Sequence, residues 1–258
     1  MNVREFLYLI DKIAPFNLAE DWDNSGLMVG DYKAAVKKIA VVLDPSVEAV
    51  KLAAQNNCDV LLCHHPLIFR PVKKIEFNDN TGAIIKQAVI NGVNIIAAHT
   101  NWDKAGLNVS LAKLLGLEKI SAPDPEKPFL IQGALHEKIS LKNFLTHIKN
   151  SWNLTRLDCY AKNYDVEISR AALCGGSGAE FWRAAKFFNN DIYITADIKY
   201  HELIDANNSG LIIAVPEHGE MERASLPELV NLISSVDENH ELEIILLDSK
   251  ALTPPLRF

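Results

Sequence analysis

Two adjacent histidines, His64 and His65, directly follow an apolar run from Val60 to Cys63. The run predicts a short buried strand, and Pro66 ends it because proline cannot donate to a sheet ladder. A strand end that bends into a loop can aim both imidazoles into one crevice, where their nitrogens could bind a metal ion. The pair could equally be two loop histidines bonded locally, since each ring carries a donor and an acceptor.

Two further predicted strands also end in side chains of the metal-ligand type. His99 and Asp103 follow one of them, and His218 and Glu222 follow the other. His218 and Glu222 are spaced i and i+4, so one face of a helical turn would present both. In open α/β sheets, ligands gather beyond the carboxyl ends of the strands. We therefore expect the three strand ends to converge if the strands are parallel.

This set offers at least three imidazoles and two carboxylates, which suit zinc, iron, manganese or nickel better than an oxygen-only ion. One catalytic zinc needs about three protein ligands and a water. The surplus therefore predicts two divalent metal ions that share a bridging carboxylate. The alternative is a scatter of polar loop residues, each satisfied locally. That alternative is favoured for four other histidines: His136, His147, His201 and His240.

Composition and charge exclude several classes of protein. The 258-residue chain is 48% apolar, so it can bury a sizeable core, and its formal charge is −7. Without a basic stripe, nucleic acid is not an expected partner. No apolar run reaches the roughly 20 residues that cross a bilayer, so no membrane is expected either. The four cysteines form no Cys-x-x-Cys pair, which favours buried thiols of a cytoplasmic protein.

Strands alternate with helices along most of the chain, which predicts an α/β fold with two lobes, mainly parallel sheets and three layers. Three prolines between Ser121 and Pro128 mark the expected domain boundary. We expect a first lobe at residues 1–122 and a second at 123–215. Residues 216–258 are expected to pack back on the first lobe.

Three polar segments have two interpretations each. The turn from Glu20 to Gly26 favours local hydrogen bonds of the Asx type, although it could present carboxylates to a site. The glycines from Gly175 to Gly178 could expose backbone N–H groups to a phosphate or serve a tight turn. Asp197 and its neighbours up to His201 could supply an acid, a base or an anion contact, or simply begin a helix.

Five ordered blocks of the sequence resemble the motifs of one family. The blocks are Asp23–Leu27, His64–Phe69, Ala98–Asp103, Ala172–Gly178 and Tyr193–His201. On these blocks the chain is identified as a member of the Nif-three-like family (interacting factor three), often labelled GTP cyclohydrolase I type 2 homologs. The resemblance implies a dimetal site between two α/β lobes and a homo-oligomer, often a ring-shaped hexamer.

The resemblance also implies a role for each candidate residue. The implied metal ligands are His64, His65, Asp103, His218 and Glu222. Glu222 would bridge the two ions, and His99 would lie near them or contact the substrate. The family's last block usually reads Gly-His-Tyr-x-x-Glu, whereas residues 217–222 here read Glu-His-Gly-Glu-Met-Glu. The ligand spacing is kept and the aromatic neighbour is lost, so the resemblance supports the metal site more than the substrate.

The family label implies a metal-dependent hydrolase with a small-molecule substrate, GTP or a related nucleotide. A metal hydroxide would attack the guanine carbon between two nitrogens, with His99 and Glu222 as the catalytic residues. The same two metals could instead hydrolyse a phosphoester. A non-enzymatic alternative uses the same ligands, as a metal-dependent scaffold or a metal-handling protein.

Overall fold

A computed structural model describes residues 1–239 and 241–248 of the chain. The described residues form two compact units, one comprising residues 1–105, 226–239 and 241–248, and one comprising residues 106–225. The partition expected from the sequence, with boundaries at residues 122 and 215, stays a prediction. The end of its C-terminal segment, residues 249–258, lies outside the described residues.

The described residues contain strands, α-helices and short helices of other types. The strands are β1 (Gly26–Val29), β2 (Lys38–Val42), β3 (Val60–Cys63), β4 (Asn94–Ala97), β5 (Glu118–Ser121), β6 (Ile131–Ser140), β7 (Leu157–Tyr160), β8 (Glu167–Leu173), β9 (Ile192–Ile194), β10 (Ile212–Pro216) and β11 (Glu243–Leu246). The α-helices are α1 (Val3–Ile13), α2 (Val47–Gln55), α3 (Asn80–Asn91), α4 (Thr100–Trp102), α5 (Asn108–Leu114), α6 (Leu141–Ser151), α7 (Trp182–Phe187), α8 (Tyr200–Asn208), α9 (His218–Arg223) and α10 (Leu226–Val236). Short 3-10 helices span Phe16–Leu18 and Ala179–Phe181, and a π-helical segment spans Asp103–Leu107. Within the described part of the chain, no helix has both the length and the apolar character needed to cross a bilayer.

The sheet of the first unit has the strand order β1-β4-β3-β2-β11. β4, β3, β2 and β11 are parallel neighbours, and β1 pairs antiparallel with β4. β3 is buried along its whole length, which fits its continuous apolar sequence. Because β3 and β4 are parallel, the residues that follow them leave the same edge of the sheet. His64 and His99 therefore start from neighbouring positions.

The sheet of the second unit has the strand order β5-β6-β8-β9-β10-β7 and is mixed. β8, β9 and β10 are parallel, whereas the pairs β5–β6, β6–β8 and β10–β7 are antiparallel. The mixed α/β fold with two sheets agrees with the sequence, but this sheet is not mainly parallel as expected. One reason is that residues 122–130, which join β5 to β6, contain no helix, so the chain turns straight back.

A buried asparagine joins three segments of the first unit. Asn101 is fully buried in α4 and donates from Nδ2 to the carbonyl of Ala14, at the end of α1, over 2.7 Å. Its Oδ1 accepts from the Ser25 hydroxyl at 3.0 Å. Both ends of this amide are therefore satisfied, and the helix that directly follows His99 is held in place.

We expect Asn101→Leu to lower the free energy of unfolding by about 2 kcal/mol, because the buried carbonyl of Ala14 loses its hydrogen-bond donor. Urea unfolding followed by circular dichroism measures the change. Asn91→Ala is the matched control, since Asn91 is exposed and bonds a carbonyl of its own helix. Equal losses in the two variants would contradict this role for Asn101.

Candidate metal centre

Three histidines of the first unit lie together beyond the ends of β3 and β4. The ring centroids of His64 and His65 are 4.9 Å apart, and those of His64 and His99 are 5.2 Å apart. The centroids of His65 and His99 are separated by 5.8 Å. Each ring offers a nitrogen, and the three nitrogens lie within 4.8 Å of one another. This group could therefore hold a metal ion.

Asp103 adds a carboxylate to this group. It begins the π-helical segment after α4, and its N–H donates to the His99 carbonyl at 3.0 Å. Its Oδ1 lies 3.4 Å from Nε2 of the fully buried His64. Isolated π-helical turns are frequent at functional sites, where they re-aim side chains. The irregular turn thus places an acidic side chain beside an imidazole.

Each imidazole of the group is held through its Nδ1 atom by an oxygen acceptor. The contacts are His64 with the Ala98 carbonyl (3.0 Å), His65 with Asp44 (2.7 Å) and His99 with Asp23 (2.7 Å). A carbonyl or ionised carboxylate only accepts, so Nδ1 carries the ring proton and Nε2 is the nitrogen that could bind a metal. Metal-binding histidines are usually oriented in this way.

Asp23 supports His99 from a buried position. Its Oδ2 accepts from the Thr100 N–H (3.1 Å) and hydroxyl (2.6 Å), and it lies 3.0 Å from the Ser25 hydroxyl, which shares its one proton between Asp23 and Asn101. Burial raises the pKa of Asp23, but the bonds from His99 and Thr100 outweigh it and hold that pKa well below its usual range. Asp23 Oδ1 also accepts the N–H of the adjacent Asn24 at 2.7 Å. The carboxylate therefore serves both the turn and His99.

Asp44 was not predicted from the sequence as a site residue, because the segment Asp-Pro-Ser also fits the start of a helix. Ser46 does cap α2 by accepting from the Ala49 N–H. Asp44 itself lies just beyond β2, the parallel neighbour of β3, and so reaches His65. A carboxylate at the carboxyl end of the adjacent strand was the signal that could have found it.

The second unit presents His218 and Glu222 on one turn of α9, directly after β10. His218 Nε2 lies 3.1 Å from Glu222 Oε2, so the expected i, i+4 pair is formed. Glu222 is buried, and Glu217 caps the helix by accepting the Glu220 N–H at 2.6 Å. An imidazole and a buried carboxylate in this arrangement could hold a metal ion.

Asp197 holds His218 through Nδ1 at 2.6 Å, and the Ser177 hydroxyl donates to the same Asp197 oxygen at 2.7 Å. The φ of Asp197 is 41°, a left-handed conformation uncommon for residues other than glycine. Burial raises the pKa of Asp197, but the bonds from Ser177 and His218 outweigh it and lower that pKa. Within the segment 197–201, Asp197 therefore contacts His218, whereas Tyr200 begins helix α8.

The pKa of His218 follows from the same contacts. Burial lowers it, but the hydrogen bonds and charges of Glu222 and Asp197 outweigh burial and raise the pKa to about 9. Without a metal, the His218 ring is therefore protonated at neutral pH. A metal that binds to Nε2 must displace this proton, so metal affinity should weaken as the pH falls.

Gly176 allows Glu222 and His218 to approach the backbone after β8. Its φ is +59°, and a Cβ at this position would lie 2.3 Å from Glu222 Oε1 and 3.1 Å from His218 Nε2. Any side chain here would displace the carboxylate. This close approach is enough to explain why residue 176 is a glycine, and the explanation does not require a phosphate-binding role.

The other histidines have local contacts or lie outside the described part. His136 Nδ1 is 3.1 Å from Glu118, and His147 Nε2 is 3.2 Å from the Leu115 carbonyl. The His201 ring lies beside Tyr200. His240 lies outside the described residues.

Comparison with known proteins identifies the family. The sequence model of Duf34/NIF3 (NGG1p interacting factor 3) matches residues 1–252. The chain belongs to the Duf34/NIF3 family. The family expected from the five motif blocks is thereby confirmed.

Relatives in the Duf34/NIF3 family carry informative names. The chain is 33% identical over 265 residues to a "GTP cyclohydrolase 1 type 2 homolog" of Clostridium perfringens, with 100% of both chains covered. It is 31% identical over 221 residues to a "GTP cyclohydrolase 1 type 2" of Helicobacter pylori, with 86% of this chain and 87% of the relative covered. The fold is similar to that of Staphylococcus aureus protein SA1388, with a TM-score of 0.90, 25% identity and coverage of 100% and 99%.

The donors of this Duf34/NIF3 member fit a divalent metal by their chemistry. Imidazole nitrogens and carboxylate oxygens together are typical ligands of zinc, iron, manganese and nickel. Gly176 leaves space for the buried carboxylate, and protein oxygens orient the rings. Both units thus contain side chains that could hold a metal ion.

We expect Asp197→Asn to weaken divalent-metal binding about 10- to 100-fold, because the amide lacks the charge that orients His218 and raises its basicity. Competition with a coloured chelator measures the affinity. Asp205→Asn is the matched control in the same unit, since Asp205 is exposed and lies 3.6 Å from Arg183. Unchanged affinity in Asp197→Asn would show that this support is dispensable.

We expect Asp23→Asn to lower the free energy of unfolding at pH 7 by about 2 kcal/mol through the loss of charged hydrogen bonds. The folded-state pKa of Asp23 lies below its ordinary value of 3.8. Its contribution is therefore present above that pH and is lost as the pH falls further. Urea unfolding of both proteins at several pH values between 7 and 3 should show the difference shrinking at the acid end.

The exposed neighbour Asp21 provides the control for this pH series. Asp21→Asn should follow the unmutated protein at every pH. A constant difference between the unmutated protein and Asp23→Asn down to the lowest pH would contradict the assigned charge of Asp23.

Proposed function

We propose that this protein is a hydrolase with two divalent metal ions per chain. The proposed ligands are His64, His65, Asp103, His218 and Glu222, and the metal is zinc, iron, manganese or nickel. The observation that carries the proposal is that each of these imidazoles has its Nδ1 bonded to a protein oxygen, as metal-binding histidines do. Such ions supply Lewis acidity and a water whose pKa is lowered towards neutrality.

Glu222 is proposed as the bridging carboxylate. It is buried, and its two oxygens face different neighbours: Oε2 lies 3.1 Å from His218 Nε2, and Oε1 lies beside Gly176. A buried carboxylate is costly unless its charge is compensated. The protonated His218 ring balances this charge in the absence of a metal, and two bound cations would do so once the His218 Nε2 proton is displaced.

His99 is proposed to move a proton rather than to bind a metal. Asp23 fixes its Nδ1 proton, so Nε2 can accept a proton and return it to a leaving group. The charge of Asp23 would stabilise the imidazolium formed, as buried carboxylates do beside catalytic histidines. Thr100 and Ser25 hold Asp23 in place for this task.

The proposed reaction opens the guanine imidazole ring of GTP or a related nucleotide with one water, which breaks one carbon–nitrogen bond and leaves a formamide. A second water then hydrolyses the formamide and releases formate. Support comes from the names of the Clostridium and Helicobacter relatives, which refer to GTP cyclohydrolase 1 type 2. A family name does not fix chemistry, so phosphoester hydrolysis by the same site is the variant to test beside it.

We also propose that the protein forms a homo-oligomer, a hexamer, and that it is located in the cytoplasm.

The test begins with the untreated protein. Elemental analysis should find two divalent ions per chain, and Glu222→Gln should lose most of them. The metal-loaded protein should then release formate from GTP, which an enzymatic formate assay detects. His99→Asn should keep its metals and release formate at least about a hundredfold more slowly, since it lacks the proton carrier.

His136→Asn is the matched control, because His136 is an exposed histidine that contacts Glu118. It should behave as the unmutated protein does. If the protein binds metal but releases neither formate nor phosphate, the proposed hydrolase activity is wrong and the metal-handling alternative is favoured. Absence of metal in freshly purified protein, with no uptake on titration, would overturn the site itself.

A further inference from the structure

Two large aromatic rings of the first unit lie exposed beside His99. Trp22 is 58% exposed and Phe69 is 46% exposed, and their ring centroids are 5.7 Å apart. The edge-on contacts of His99 with Trp22 and Phe69 have centroid distances of 6.3 and 6.2 Å. Neighbouring apolar rings left open to water at a polar cluster are typical of binding surfaces.

Hydrogen bonds hold the segments that carry both rings. Asn24, two residues after Trp22, donates from Nδ2 to the Ile68 carbonyl over 2.6 Å, next to Phe69. Asp23, between Trp22 and Asn24, is bonded to His99. The turn and the loop are therefore tied to each other and to the histidine. Rings held in this way lose little freedom when a ligand binds.

Two other exposed rings of the same unit, Tyr32 and Phe77, have cationic partners. Tyr32 lies 5.5 Å from the guanidinium carbon of Arg4, and Phe77 lies 5.3 Å from the Lys86 ammonium. These distances are typical of cation–π contacts, which occupy a ring face. The ring contacts of Trp22 and Phe69, in contrast, are with each other and with His99, and 58% of Trp22 and 46% of Phe69 remain exposed to water.

We infer that Trp22 and Phe69 form a stacking surface for the planar heteroaromatic part of the substrate, of the size of a purine base. The inference rests on the proposed function and deepens it, because it names the group that is recognised next to His99. Neutral apolar rings offer little to a phosphate, whereas every base has a face that stacks on them. The surface would bring the heterocycle to the imidazole that is proposed to move the proton.

Tryptophan fluorescence provides a direct test with guanosine as the probe. Trp102, Trp152 and Trp182 are buried, so Trp22 is the tryptophan that a base in solution can reach. Guanosine should quench the fluorescence of the metal-loaded protein, and inorganic tripolyphosphate should not. In Trp22→Leu the quenching should disappear, and calorimetry should show guanosine binding weakened by about fivefold to a hundredfold.

Phe69→Leu keeps Trp22 as the reporter and should also weaken guanosine binding. Phe77→Leu is the control, because Phe77 is 58% exposed, as Trp22 is, and lies in the same unit. Metal content should stay unchanged in all three variants. Guanosine affinity that is equal in Trp22→Leu, Phe69→Leu and the unmutated protein would overturn the stacking surface, whatever the metal content.

The two proposals fail in different ways. If guanosine binds through Trp22 but GTP yields no formate, the proposed reaction is wrong and the stacking surface stands. If formate is released and both ring variants keep their guanosine affinity, the surface is wrong and the proposed reaction stands.

Discussion

The hydrogen bond from an imidazole Nδ1 to a protein oxygen is the interaction on which the candidate site depends. Without it, a histidine ring can rotate, and its proton can occupy either nitrogen. With it, the proton stays on Nδ1, and Nε2 points in one direction as a ligand or a base. Four histidines of the candidate site have such a bond: His64, His65, His99 and His218. The acceptors are as much a part of the site as the rings.

Both units place these groups by the same rule, although their sheets differ. In the first unit Asp44, His64 and His99 follow the parallel neighbours β2, β3 and β4. In the second, Gly176, Asp197 and His218 follow the parallel neighbours β8, β9 and β10, even though the outer strands are antiparallel. Parallel strands deliver their following residues to one edge, so His65 meets Asp44 and His218 meets Asp197 there. Asp23 reaches His99 differently, because it precedes β1, which runs antiparallel to β4.

The site also carries energetic costs that the fold compensates. Burial penalises the charge of Asp23 and of Asp197, yet the pKa of each is lowered because histidine and hydroxyl donors surround the carboxylate. Asp197 adds a left-handed backbone, which costs on the order of 1 kcal/mol or more. Charge and strain of this kind persist where the surrounding structure enforces them, which is typical of functional sites.

The sequence alone determined which side chains stand at strand ends and which family the chain belongs to. Two local patterns gave this information: the apolar runs before His64 and His99, and the i, i+4 spacing of His218 and Glu222. A local pattern can be recognised without knowledge of the fold. The acceptors were decided by the tertiary structure: the pairing of His65 with Asp44 depends on β2 lying next to β3. The antiparallel strands and the contact of Trp22 with Phe69 depend likewise on segments distant in sequence. Strand order and loop contacts arise from packing between such segments, and the residue types near each position do not encode them.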